Sequence, residues 1–140
     1  MPTFAIKCLK LFLTLLSIPL IPLLAIIMWQ IILPKATVHY SEEGRQEIKF
    51  TWNVEDRIYR GKMPPGSLTN DRGVLFPDSE FFMEFSWYNN KKNRWHCVSI
   101  TPTWPRARIY LDANGDIDIK ENSGTDIDRL KVCDWDLVMP

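Results

Sequence analysis

The sequence predicts a mainly β soluble domain, either an antiparallel meander or a small sandwich with room for one short helix, behind a single N-terminal transmembrane helix. Three observations carry that fold class. Leu11 to Leu33 is a run of 23 residues without a charge. Several later segments alternate apolar and polar residues with a period of two, the signature of a strand with one buried face. Turn-forming pairs such as Asn114-Gly115 and Pro64-Pro65-Gly66 punctuate those segments.

The apolar run comes first. As a helix rising 1.5 Å per residue it would cover about 35 Å, against a hydrocarbon core of about 30 Å. Fifteen of its residues are Leu, Ile or Phe, and together these favour insertion by several kcal/mol. Pro19 and Pro22 each remove one helix hydrogen bond and kink the span, which membrane helices tolerate. Trp29 lies near the far end, where an indole suits the interface. Leu11 and Leu33 mark the expected limits. A cleaved signal peptide is the competing reading, but its apolar stretch usually covers about 7–15 residues, and no small-x-small site follows Leu33 cleanly. The expected organisation is therefore a short tail over residues 1–10, an uncleaved anchor over 11–33, a polar linker over 34–46 and a soluble domain over 47–140. Lys7 and Lys10 precede the span, whereas the Lys35 and Arg45 that follow it are mixed with acids. That balance predicts a cytoplasmic N-terminus and a C-terminal domain in the periplasm or outside the cell.

Within the soluble part, Glu47 to Val54 has an apolar residue at every even position, and it predicts a half-buried strand. Arg57 to Arg60 adds a short one, and Ser67 to Ser79 reads as loop. Phe81, Met83, Phe85 and Trp87 share one face of the next strand. The polar Asn89 to Asn93 then turns the chain into Arg94 to Thr101, giving an antiparallel hairpin. Pro102 and Pro105 break the pattern. Arg108 to Leu111 and Asp116 to Ile119 flank Asn114-Gly115, which predicts a second hairpin. Asp126 to Val138 suits either a short helix or another strand.

Charge narrows the function classes. From Pro34 onward there are 15 basic and 17 acidic residues, so the soluble part carries about −2. No basic face or nucleic-acid motif stands out, and nucleic acid is not an expected partner. Asp112 to Pro140 holds eight acids against Lys120, Arg129 and Lys131. Asp126, Asp128, Asp134 and Asp136 in that stretch, with Trp104 between its two prolines, form the expected surface for a protein partner. The alternative roles are a solvated acidic surface and, for Trp104, a core plug.

Catalytic and metal chemistry find little support. Asp112-x-Asn114-x-Asp116-x-Asp118 resembles the start of a calcium loop, but Ile117 and Ser123 stand where Gly and the bidentate Glu are needed. It reads as a turn. Cys97 and Cys133, with His39 and His96, lack zinc spacing. In an oxidising compartment the two cysteines can form a disulfide, and otherwise they are separate buried thiols. No nucleophile elbow, phosphate loop or dinucleotide fingerprint is present. The expectation is a protein that is not an enzyme, with no catalytic residue, no metal and no cofactor.

Ile58-Tyr59-Arg60-Gly61-Lys62-Met63-Pro64-Pro65-Gly66, Phe76-Pro77-Asp78 and Phe81-Phe82-Met83-Glu84-Phe85, behind an apolar anchor, give the chain its family flavour. In size and layout it resembles the small membrane-anchored immunity proteins of bacterial toxin–immunity loci, those of type VI secretion or contact-dependent systems. The resemblance implies a bacterial inner-membrane protein with a periplasmic domain that binds and neutralises a toxin. It carries no motif from which a functional residue transfers. The other expected role is an accessory or assembly subunit of a cell-envelope complex. In either case the partners are a protein and, through the anchor, membrane lipid.

Overall fold

The computed structural model describes residues 2–101 and 106–137. The chain divides into two units, Met1–Ile32 and Leu33–Pro140. The first is a single helix, α1, Pro2–Ile32. Its stretch Phe4–Ile32, 29 residues, is long and apolar enough to cross a membrane. The helix starts well before the expected boundary at Leu11, because Phe4 to Lys10 contains good helix formers and no breaker. It ends one residue short of Leu33. Pro19 and Pro22 lie inside it. Its hydroxyls are satisfied locally: Thr14 Oγ1 donates to the carbonyls of Lys10 and Leu11, and Ser17 Oγ donates to that of Thr14. Such back-bonding lets a hydroxyl sit in an apolar span.

The second unit is the mainly β domain, and its two sheets share one core. A three-stranded sheet has the order β4-β1-β7, with β1 at Lys35–Tyr40, β4 at Leu68–Arg72 and β7 at Arg106–Leu111. A five-stranded sheet has the order β3-β2-β5-β6-β8. Its strands are β2 Ile48–Val54, β3 Arg57–Met63, β5 Met83–Asn89, β6 Arg94–Ile100 and β8 Leu130–Val132. A short 3-10 turn at Ile127–Arg129 precedes β8, and a four-residue helix α2, Asp134–Leu137, follows it. Of the two expected architectures, the sandwich is the one that forms.

Alternation explains the core. Ile48, Phe50, Trp52 and Val54 of β2 and Met83, Phe85 and Trp87 of β5 all point inward. They meet Ala36, Val38 and Tyr40 of β1 and Ala107, Ile109 and Leu111 of β7. Phe85 is fully buried, with ring centroids 4.8 Å from Trp52 and 5.6 Å from Trp87. The two core indoles need acceptors, since a buried N–H without one costs free energy. Trp52 Nε1 donates across the core to Thr69 Oγ1 of β4 at 3.1 Å, and Trp87 Nε1 donates to the Gly115 carbonyl at 2.7 Å.

Turn chemistry matches the expectations in two places. The β5–β6 hairpin closes through Asn90–Asn93, held by Asn89 Oδ1 accepting from the Lys92 N–H. Gly115 has φ +78°, the left-handed conformation that glycine adopts without strain. The hairpin there is short: it keeps one bridge, Leu111 with Ile117, where a strand over Asp116 to Ile119 is expected. Beyond it the chain is irregular.

Two segments correct the sequence reading. Residues 34–46, expected as a linker, contain β1, the central strand of the three-stranded sheet. It pairs parallel to β7 and antiparallel to β4. Its alternation is weak because Ala36 is small, and its parallel partner lies some seventy residues away, so no local signal marks it. Likewise Ser67 to Ser79, expected as loop, contains β4. Polar LTNDR turns only Thr69 fully into the core, which leaves hardly any apolar pattern to detect.

Replacing Phe85 by Ala should destabilise the domain by about 3–5 kcal/mol, the usual range for a large aromatic in a packed core. Urea unfolding of the full chain in detergent micelles, followed by near-ultraviolet circular dichroism, measures it. A loss below about 1 kcal/mol would contradict the core as described.

Candidate binding face

Two of the four aspartates expected at the partner surface are bonded into the fold. Asp136 is buried at 7% exposure. Its Oδ1 lies 2.5 Å from Arg94 Nη2, and its Oδ2 accepts the Cys97 backbone N–H at 2.9 Å. The carboxylate thus stands in for a strand carbonyl where β8 has ended, which is why it is not a free surface acid. Asp126 is half-buried, and its Oδ2 accepts the Arg108 N–H of β7 at 2.8 Å. These two therefore correct the expected partner surface: both are tied into the domain. Asp128 and Asp134 are exposed. Trp104 lies outside the described residues.

The calcium-like stretch is also internally bonded. Asp112 Oδ1 accepts the N–H groups of Asn114 and Asp116, the Asx arrangement that stabilises a turn. Asp116 Oδ1 accepts from Asn89 Nδ2 at 2.9 Å and lies 2.8 Å from Lys92 Nζ.

Of the two readings for the cysteines, the disulfide is the one present. Cys97 of β6 and Cys133 are joined, with a Cα–Cα distance of 5.4 Å. Glu84 sits close to both sulfurs, but those sulfurs are spent on each other and offer no thiolate to a metal. The bridge and Asp136 together fix α2 against the edge of β6.

His96 sits on the inward side of β6. Its Nδ1 is 3.6 Å from Asp136 Oδ2, its ring is 5.5 Å from that of Trp87, and Nε2 is buried without a hydrogen-bond partner. Burial, followed by the nearby Arg94 guanidinium, lowers its pKa from the ordinary 6.5, with Asp136 opposing. The hollow of about 300 Å³ beside it is walled by Trp87, Val98, Ile117 and Val132, with Lys92, Asp116 and Asp136 at its rim. No hydroxyl or free thiol among the described residues lines it. His39 is likewise lowered, by burial and then by Arg108, and stacks on Tyr110 at 4.5 Å.

A larger concavity, about 750 Å³, lies elsewhere, on the outward face of the five-stranded sheet. Register defines its floor as a grid. Arg60, Thr51, Ser86 and Cys97 succeed one another across β3, β2, β5 and β6. Ile58, Asn53, Glu84 and Ser99 form the parallel row. Lys62 faces Lys49 on the other side of the first row. Trp95 of β6 and Trp135 of α2 line the same hollow, and they are 42% and 43% exposed. Asn53 Oδ1 is buried with no hydrogen-bond partner. Sequence reasoning missed this face, because an outward row of polar residues looks like any solvated strand side. The readable signal was the run of Lys49, Arg60 and Lys62 once the pairing of β2 with β3 is known.

No protein-family model matches the chain, and no curated protein or solved structure matches it either.

The two histidines imply a pH dependence with a definite sign. Each binds a proton less readily folded than unfolded, so between the lowered folded value and about 6.5 the unfolded state holds more protons. Stability should be level above about pH 7.5 and fall as the pH drops through 6.5. Thermal melts of the full chain at pH 8.0 to 5.5 should show that decline, and His96→Phe should flatten it. A melt that rises on acidification would contradict the placement of His96.

Proposed function

We propose that this chain is a membrane-anchored protein-binding module, and specifically an immunity protein that holds and neutralises a cognate bacterial toxin at the inner membrane. The observation that carries the binding reading is the outward sheet face. It combines two half-exposed tryptophans, a cluster of cations and the hydroxyls of Thr51 and Ser86 in one concavity. Such a mixture of aromatic anchors and polar groups is how protein surfaces grip a partner. The helix α1 supports the membrane tether, and the Cys97–Cys133 bridge suits an oxidising compartment such as the periplasm. The specific toxin-neutralising role rests on the resemblance in size and layout to immunity proteins. Binding then acts by occupation: the toxin is captured where it enters, and this chain performs no chemistry on it.

Pro19 and Pro22 inside α1 favour one other role, an accessory subunit of an envelope complex whose span packs against another helix. Exchange of α1 for an unrelated apolar anchor separates the two, since a tether tolerates the exchange and a packed subunit does not.

Expression of the full chain in cells exposed to the toxin encoded beside its gene should restore survival. A form lacking residues 1–32, retained in the cytoplasm, should not. Protection by that cytoplasmic form would overturn the periplasmic placement, and no protection by the full chain would overturn the immunity role. Turnover of a substrate that is lost in His96→Ala would overturn the binding reading altogether.

A further inference from the structure

The outward face of the five-stranded sheet carries a charge arrangement that the fold does not need. Lys49 of β2 and Lys62 of β3 are direct cross-strand partners, and Arg60 lies two residues from Lys62 on the same face. Like charges placed opposite each other destabilise a sheet. One acid offsets them: Glu47 Oε1 is 3.2 Å from Lys62 Nζ, at an exposed position where an ion pair contributes little. Lys49 and Arg60 have no ion-pair partner among the described residues. A cluster of this kind is relieved by an anion from outside.

The opposite side of the concavity is apolar. Trp95 and Trp135 expose indole surface there, and Trp135 is held by the Cys97–Cys133 bridge and by the buried Asp136. Between the two sides lie Thr51 and Ser86. Glu84 lies in the row of Asn53 rather than that of Lys49, so it stands away from the Lys49–Lys62 pair and repels acid from the far corner. The distance from β3 to β6 is three strand spacings, about 14 Å, which an extended chain covers in about four to five residues.

We propose that this face binds an extended acidic segment of the partner protein. Its carboxylates sit at Lys49, Arg60 and Lys62, and an apolar side chain four or five residues further on lies against Trp95 and Trp135. The proposal deepens the protein-binding reading and rests on it.

The test uses the full chain in detergent micelles and a fluorescein-labelled peptide with blocked termini, in which two glutamates are followed, after three serines, by a phenylalanine. Fluorescence anisotropy should show saturable binding that weakens with added salt. A peptide with lysines in place of the glutamates should bind at least tenfold more weakly. The double variant Lys49→Glu with Arg60→Glu should lose at least tenfold for the parent peptide, and Trp135→Ala several-fold. Arg108→Glu, on the other sheet, should bind like the parent, with near-ultraviolet circular dichroism confirming the fold of each variant. Equal binding of the lysine peptide, parent-like binding by the double variant or no binding of the acidic peptide would overturn the proposal. So would tighter binding of a thymidine oligonucleotide, because the anion would then be nucleic acid. The protection assay keeps the two readings apart. Toxin protection retained by the double variant sinks this face and leaves the immunity role standing, whereas peptide binding without protection by the parent sinks the immunity role and leaves the face.

Discussion

Everything in the β unit depends on the inner face of the five-stranded sheet being filled by aromatic side chains. Phe50, Trp52, Phe85 and Trp87 form one contiguous layer on β2 and β5. Strand geometry sends alternate residues to opposite faces, so committing these four to the core commits Lys49, Thr51, Asn53, Glu84, Ser86 and Tyr88 to the other side. A slip of one residue would bury the lysine and expose the tryptophans, so the register is strongly specified. The outward face is therefore a direct consequence of the core, and its chemistry is free to serve a partner because the core does not need it.

The two ends of that face are built differently. At the β3 end, cations stand on an edge strand whose residues from Arg57 to Arg60 are all exposed. Charge on an edge strand also discourages unwanted pairing with other sheets, but that purpose does not require Lys49, which lies on the inner neighbour β2. At the β6 end, three residues of β8 leave the Cys97 N–H and carbonyl without a strand partner. The Asp136 carboxylate and the Cys133 N–H replace it. The disulfide and this ionic substitute hold a helix of one turn in position, and that helix presents Trp135. Without them so short a helix would have little reason to persist.

Much of the architecture was legible in the residues. The long apolar helix, β2, β5, β6 and the glycine turn at Gly115 follow from an apolar run, strict alternation and turn chemistry. The strands that were missed, β1 and β4, have few large apolar residues and are stabilised by distant partners, which a local pattern cannot reveal. The site was less legible for a similar reason. Lys49, Arg60 and Lys62 become one cluster only when β2 folds against β3, and the bonds that bury Asp136 and half-bury Asp126 connect them to residues 42 and 18 positions away. Local acidity suggested a surface; tertiary bonding consumed half of it.

The partition of the tryptophans gives the most direct test of the central claim, that the core and the binding face are opposite sides of one sheet. Trp52 and Trp87 are buried with bonded indole N–H groups, whereas Trp95 and Trp135 are open on the outward face. Indole N–H resonances of the full chain in micelles, recorded during titration with the acidic peptide, distinguish the two pairs. The account predicts that the Trp95 and Trp135 signals move together along one saturation curve while those of Trp52 and Trp87 stay in place. Movement confined to Trp104, or to the two core indoles, would contradict it.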